Sequence, residues 1–316
     1  MAPKIKRLSF CFVLILAVIG LVFLFGAGIM NKKGSGKIVA TNFAAFDFAR
    51  AVIGDSSDIT ILLKPGMEMH DFEPTPEDIK KVLSADLFIY VGGESDVWVE
   101  KLLNDNEIKK ENNFRMMEFV SPLAEEFVKD TKEDEHAPEE KDEHIWTSPV
   151  NAVKLVEAVR DRLIGLYPEK EQIFTKNAKI YTEQLKEIDN EFRDIANNST
   201  NKLLVFADRF PFLYFTHEYG LSYFAAFPGC AEQTEASSNV IASLVGEVKG
   251  NNIKTILKIE LTSDKLAKSI ADETGAKILE LNAAHNISQE NFDRGVTYAD
   301  IMRKNISVLR EALKNE

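Results

Sequence analysis

Residues 70–93 read HDFEPTPEDIKKVLSADLFIYVGG and contain one complete unit of helix followed by strand. Thr75 has a side chain suited to capping a helix, and Pro76 fits the first helical position. The pattern therefore predicts a helix over 76–83. The apolar run over 87–91, closed by two glycines, predicts a buried strand.

The same alternation of short apolar strands and helices extends in both directions along the chain. Such alternation is typical of parallel sheets covered by helices. The predicted strands are 37–41, 58–63, 87–91, 114–119, 203–206, 221–227, 255–259 and 277–281. The predicted helices are 43–53, 76–83, 97–103, 148–166, 169–195, 210–218, 236–249, 264–274 and 298–314. The fold class is therefore α/β.

One helix is much longer than the others and divides the chain. Its apolar spacing over 169–195 predicts a rod of roughly 40 Å, more than one small domain needs. We expect two lobes, each a mostly parallel sheet with flanking helices, joined by this rigid connecting helix. The predicted domains are residues 1–36 (anchor or signal segment plus linker), 37–166 (N-terminal lobe, with an acidic loop at 125–143), 167–198 (connecting helix) and 199–316 (C-terminal lobe).

Charge and cysteine content exclude several classes of function. The 316 residues carry a formal charge of -12, which argues against binding nucleic acid, because a surface that neutralises phosphates must be basic. Cys11 and Cys230 are the only cysteines of the sequence. A cysteine-rich zinc finger is therefore excluded, and an internal disulfide is not expected.

The N-terminal segment predicts the compartment. An uncharged, mostly apolar run over 10–30 follows Lys4, Lys6 and Arg7. About twenty such residues cross the hydrocarbon of a bilayer, and the basic side stays in the cytoplasm. We expect the rest of the chain at the extracytoplasmic face of a bacterial membrane, anchored by this segment. Cleavage of the run as a signal peptide, with secretion, is the alternative.

Four side chains that can bind a metal follow predicted strands or precede predicted helices. They are His70, His144 and His285, together with Asp208. Ligands of open α/β sheets collect at the carboxyl ends of strands, so a crevice between the lobes can gather these groups. Three imidazoles and a carboxylate suit tetrahedral zinc.

Each of these residues also has an ordinary structural interpretation. A single histidine on a loop is usually a surface or capping residue, and Asp208 can cap a helix that starts near Phe210. We expect His217 to lie on the surface. His136 stands in the acidic loop, where it can make a weak accessory contact with the metal or remain solvated.

Two motifs give these residues a context. The stretch quoted above resembles the first-lobe motif of the zinc/manganese solute-binding proteins of bacterial ABC transporters (cluster A-I). The sequence HIWTSP, beginning at His144, matches the family pattern His-x-Trp-x-x-Pro. The resemblance extends from about residue 37 to the C-terminus. It implies two α/β lobes bridged by a long helix, and His70 and His144 as metal ligands.

The resemblance is less direct at the other two ligand positions. The fourth ligand of the family, commonly Asp, falls at His285, and the third falls at Arg209. A guanidinium has no lone pair to offer a metal. Asp208 is the nearest donor and our predicted third ligand. Glu235 is the reserve candidate, as ligand or as partner of Arg209.

Glu73 is expected to support His70 or its loop rather than to touch the metal. A carboxylate that orients a ligating histidine is a common device in metal sites.

The predicted function is extracytoplasmic binding of a divalent metal and its delivery to an ABC-transporter permease and its ATPase. Three imidazoles favour Zn²⁺ over Mn²⁺. The alternatives are a manganese-binding homologue, a surface adhesin of the same family, a binding protein for an organic solute and a zinc metallohydrolase. The sequence contains no HExxH segment, the motif that would support a zinc metallohydrolase. We expect a monomer that is not an enzyme.

Overall fold

Two four-stranded sheets with the same strand order form the fold. The first contains β1 (Ile38–Ala40), β2 (Ile59–Ile61), β3 (Leu87–Tyr90) and β4 (Asn113–Arg115), in the order β2-β1-β3-β4. The second contains β5 (Leu203–Arg209), β6 (Ser222–Phe227), β7 (Thr255–Lys258) and β8 (Lys277–Glu280), in the order β6-β5-β7-β8. All neighbouring strands are parallel.

The structure is a computed structural model that describes residues 37–69, 72–105, 112–125, 141–229 and 235–314. Both sheets belong to one unit that spans Lys37–Glu316. The helices are α1 (Phe43–Ile53), α2 (Pro76–Leu83), α3 (Val97–Asn104), α4 (Pro149–Leu166), α5 (Glu171–Asn198), α6 (Leu213–Tyr219), α7 (Ser238–Gly250), α8 (Lys265–Thr274), α9 (Gln289–Asp293) and α10 (Tyr298–Ala312). Short 3-10 turns cover Glu94–Asp96, Met116–Phe119, Ile145–Thr147 and Pro168–Lys170. The predicted fold class is confirmed.

The predicted long helix is α5. Its 28 residues span roughly 40 Å, and it packs against α1, α4 and α10. Its buried residues recur at helical spacing and include Phe174, Leu185 and Phe192. This helix therefore contacts elements on both sides of it in the sequence.

Asp47 of α1 makes contacts that connect three helices. Its buried carboxylate accepts hydrogen bonds from the Tyr181 hydroxyl of α5 at 2.5 Å and from the backbone N–H of Tyr298 in α10 at 2.8 Å. It also forms an ion pair with Arg50. Removing this one carboxylate would leave partners on three elements unsatisfied.

Many predicted elements are shifted by a few residues at one end, and α9 was not predicted. Two of the differences have a clear local cause. The strand predicted at 114–119 is wrong in its second half, where the chain turns into a 3-10 helix and Phe119 stacks on Phe114 at 4.6 Å between ring centres. The helix predicted from Phe210 begins at Leu213. Pro211 explains the delay, because a residue that precedes proline is driven out of the helical conformation.

The acidic loop also differs from the expectation at its end. Residues 126–140 lie outside the described residues, but Asp142 and Glu143 are buried rather than solvated. Lys141 forms an antiparallel bridge with Ala124. The last residues of this loop are therefore part of the packed structure.

No helix in the part of the chain that the structure describes has the length and apolar character needed to cross a bilayer. The predicted N-terminal span, residues 10–30, lies outside the described residues.

Candidate metal centre

The topology brings polar loops to one edge of each sheet. In both sheets the strand order reverses direction about the first strand, between β1 and β3 and between β5 and β7. Chains that leave neighbouring parallel strands on opposite sides open a crevice at their carboxyl ends, where ligands of such sheets bind. Of the predicted ligands that the structure describes, His144 and His285 lie on loops, and Asp208 lies near the carboxyl end of β5.

His144 is completely buried and is held by the residue two positions before it. One carboxylate oxygen of Asp142 accepts a hydrogen bond from the backbone N–H of His144 at 2.7 Å. The same oxygen lies 3.1 Å from Nδ1 of the His144 ring. With Nδ1 carrying the proton toward this carboxylate, Nε2 holds the lone pair that can bind a metal. Gly229 packs against the ring, and a Cβ at this position would lie 3.2 Å from His144 Nδ1.

His285 has the same kind of support. Glu260 follows β7, and one of its carboxylate oxygens accepts the backbone N–H of His285 at 3.0 Å and lies 3.5 Å from its ring Nδ1. The other oxygen accepts the N–H of Ala283 at 2.7 Å. Ala284 adopts a φ of 55°, in the left-handed region that favours glycine. This loop is therefore fixed from several sides.

The structure brings His144 and His285 together. Their ring centres are 4.6 Å apart at an interplanar angle of 83°, and both rings contact Trp146. The indole N–H of Trp146 donates to the carbonyl of Ala283 at 2.8 Å, which joins the loops from the two halves of the chain. Two buried imidazoles, each with Nδ1 facing a buried carboxylate, form a donor set that suits zinc.

His70 lies outside the described residues, but the segment before it is fixed beside His285. The side-chain amide of Asn286 donates to the carbonyls of Lys64 and Met67, at 2.8 and 2.6 Å. Arg209 donates to Glu68 at 2.6 Å. The side chain next to His285 therefore holds the segment 64–67, which leads toward His70 in the sequence. Among the described residues, no group of three or more His, Cys, Asp and Glu side chains can hold a metal ion.

Asp208 lies inside β5 rather than after it, and it caps no helix. Its carboxylate accepts hydrogen bonds from the Thr262 hydroxyl at 2.5 Å, the N–H of Ile259 at 3.2 Å and the N–H of Arg209 at 2.9 Å. The interpretation of Asp208 as a helix cap is therefore wrong. Its role as a metal ligand stays a prediction.

The remaining candidates have different surroundings. The carboxylate that Arg209 contacts is Glu68, while Glu235 lines the same cavity as Arg209. Glu73 is exposed, and His136 lies outside the described residues. His217 is exposed on α6, as predicted.

Comparison with known proteins shows the family of this chain. A family model described as "Zinc-uptake complex component A periplasmic" (ZnuA) matches residues 38–312. The chain belongs to the ZnuA family. The high-affinity zinc uptake system protein ZnuA of Bacillus subtilis is 30% identical over 310 residues, which cover 94% of this chain and 97% of that protein.

Streptococcal members of the ZnuA family are also similar. The zinc-binding protein AdcA of Streptococcus pyogenes is 32% identical over 290 residues, or 88% of this chain. The chain matches 56% of the length of that protein. The crystal structure of the Zn(II)-bound ZnuA-like domain of Streptococcus pneumoniae AdcA superposes with a TM-score of 0.74 at 30% identity, covering 89% of this chain and all of that domain.

Sequence reasoning missed the two carboxylates that orient the histidines of this ZnuA-family site. Asp142 belongs to an acidic run that is typical of solvated loops, and Glu260 follows a strand with no motif around it. The position of Asp142 two residues before His144 is the one local signal, because short spacing lets a carboxylate reach its neighbour's ring. Glu260 was not recognisable without the fold.

Electrostatics around His144 favour its protonated form. Burial opposes the charge, but the charge and hydrogen bond of Asp142, together with the charges of Glu143 and Glu125, hold the pKa of His144 above its ordinary value. Proton and metal therefore compete at this ring, and the competition begins at a higher pH than for an ordinary histidine.

Replacing Asp142 with alanine is expected to weaken zinc binding by about 10- to 100-fold, because His144 loses the group that sets its ring orientation and tautomer. Competition with a chromophoric chelator measures this affinity. Asp161 provides the control, because it is an exposed aspartate paired only with Arg160 among the described residues. An Asp142→Ala protein that binds zinc like the wild type would contradict the assignment.

Two further buried acids, Glu143 and Asp96, lie near His144. Glu143 accepts hydrogen bonds from the backbone and hydroxyl of Ser95, at 3.0 and 2.5 Å. Asp96 accepts the N–H groups of Val91 and Gly92. Burial, with a smaller contribution from the charge of Glu143, raises the pKa of Asp96 to about 7.

This raised pKa predicts a pH-dependent stability. Between the ordinary value and about 7 the folded protein binds a proton that the unfolded chain has released, so Asp96 contributes less stability as the pH rises through this window. We therefore expect the free energy of unfolding of Asp96→Asn, measured relative to that of the wild type, to be higher at about pH 8 than at about pH 5. Urea unfolding of both proteins at the two pH values checks this, and a constant difference between them would contradict it.

Proposed function

We propose that this chain binds zinc outside the cytoplasm and delivers the ion to the permease and ATPase of an ABC transporter. The observation that carries the proposal is the pair of buried imidazoles, His144 and His285, each backed by a buried carboxylate. Membership of the ZnuA family supports it. Relatives named for zinc binding and zinc uptake support it further.

We propose His70, His144 and His285 as the zinc ligands. The contact of Asn286, next to His285, with the segment that leads into His70 supports the inclusion of His70. An imidazole-rich set favours Zn²⁺ over Mn²⁺, which prefers more oxygen donors. Asp208 remains the predicted additional donor. Its carboxylate already accepts three hydrogen bonds, so an Asp208→Asn variant is needed to test whether it also binds the metal.

The proposed location follows from the family description, which includes the word periplasmic, and from the apolar N-terminal run. We propose that this run holds the protein at the outer face of the cell membrane, with secretion after cleavage as the alternative. The site itself binds an ion and releases it, and the proposal includes no reaction.

The experiment that tests the proposal is elemental analysis of residues 37–316 purified with trace metals present, followed by titration with Zn²⁺ and Mn²⁺. We expect about one zinc per chain and a marked preference for zinc. Growth of a deletion strain under zinc limitation, with and without the gene restored, tests delivery. A protein that retains no zinc, or a strain that grows normally when zinc is scarce, would overturn the proposal.

A further inference from the structure

A second binding feature lies at the edge of the second sheet. A cavity of about 620 Å³ opens where the strand order reverses, between the carboxyl ends of β5 and β7. Cavities of 300–1,000 Å³ hold small organic ligands, whereas a single ion needs far less space. The cavity is lined by residues of β5, the end of β6, the segment before α7, α7 itself, the loop after β7, α8 and the segment before His70. Its polar lining includes Glu68, Arg209, Glu235, Thr262, Ser263 and Lys265.

The equivalent crevice of the first sheet is closed. At the corresponding edge, Thr41, Asn42, Ser95 and Asp96 leave a space of only about 10 Å³. Asp96 fills it by bonding to the backbone after β3. The cavities at the corresponding edges of the two sheets therefore differ in size, about 10 Å³ in the first and about 620 Å³ in the second.

Arg209 is a buried cationic residue in the lining of this cavity. Its side chain is 6% exposed, and its single hydrogen bond among the described residues runs from Nη2 to Glu68. The Nε atom is buried and makes no hydrogen bond within the described part of the chain. A guanidinium has five N–H donors, so one hydrogen bond to Glu68 leaves donors for a second carboxylate.

The other charges of the lining have both signs. Lys265, at the start of α8, adds a second cation, and the first turn of a helix favours negative charge. Among the acids, Asp208 already accepts three hydrogen bonds. Glu235 is exposed at the rim of the cavity. The lining therefore offers cations to a carboxylate and an acid to an ammonium group, which disfavours a purely anionic ligand.

We propose that this cavity binds an α-amino acid, with its carboxylate on Arg209 and Lys265 and its ammonium group at Glu235. The proposal goes beyond zinc binding. It can be tested on metal-free protein, so that failure of the zinc proposal and failure of this one are distinguishable.

The experiment is calorimetric titration of the full chain, stripped of metal with a chelator, with the common L-amino acids and with succinate. We expect at least one amino acid to bind and succinate, which has no ammonium group, to bind at least about tenfold more weakly. Arg209→Gln should weaken amino-acid binding by about 10- to 100-fold, and Arg209→Lys by less, because it keeps the charge and loses the fork.

Two further variants keep the test decisive. Lys265 and Glu235 are exposed, so Lys265→Gln and Glu235→Gln should fold normally and still weaken amino-acid binding several-fold. Arg303→Gln, on the outer face of α10, is the matched control and should bind like the wild type. Absence of binding by every amino acid, binding that survives Arg209→Gln, or succinate binding as tight as that of the amino acids would overturn the proposal.

Discussion

Replacing His144 with alanine is expected to weaken zinc binding by more than about 100-fold, because the effect of losing a ligand should exceed that of losing its supporting carboxylate. The ring is completely buried, and its Nδ1 is engaged by Asp142. The substitution removes a donor and leaves the Asp142 carboxylate buried without the ring. His285→Ala should have a comparable effect, and competition with a chromophoric chelator measures both.

His217→Ala is the control for this experiment, since His217 is exposed on α6. Its zinc affinity should equal that of the wild type. For the wild type, affinity should fall on acidification, because a protonated imidazole cannot coordinate and the raised pKa of His144 keeps the proton bound to higher pH. An affinity that stays constant between neutral pH and about pH 5 would contradict imidazole ligation.

The second large effect concerns stability. Asp47→Ala is expected to lower the free energy of unfolding by about 3–5 kcal/mol, the usual result of removing one member of a buried charged network. The hydroxyl of Tyr181 and the backbone N–H of Tyr298 would lose their acceptor, and Arg50 would lose its counter-charge. Urea unfolding followed by circular dichroism measures the loss.

Asp161→Ala is the matched substitution, because the ion pair of Asp161 with Arg160 is exposed. Its effect should stay within about 0.5 kcal/mol. A loss below about 1 kcal/mol for Asp47→Ala would show that the three helices hold together without this carboxylate.

Local chemistry explains why much of the fold was predictable. The helix predicted at 76–83 is present with these bounds, because Thr75 and Asp78 form a capping box that fixes its start. The helix that follows Ser148 starts as predicted for the same kind of reason. Strand ends were less accurate, because a strand ends where its neighbours end, and no local pattern encodes that.

The sequence pointed to two histidines that lie together in the structure, but not to the groups that surround them. His144 and His285 stand on loops next to predicted elements, and the topology brought them together as expected. Glu260 and Asp142 acquire their roles only when distant segments pack, since 25 residues separate Glu260 from His285 and Asp142 looks like part of a solvated acidic run. The contact of Arg209 with Glu68 spans 141 residues and had no local signal.

The shared helix α5 has a consequence for how the proposed transporter would recognise this chain. Because α5 packs on α1, α4 and α10 together, we expect that moving the two sheets apart would disrupt these helix contacts. Loaded and empty proteins should then present nearly the same outline to a membrane partner. The proposed partner would then have to recognise the loops near His144 and His285, and a covalent cross-link between the two sheets should leave ion exchange almost as fast as before.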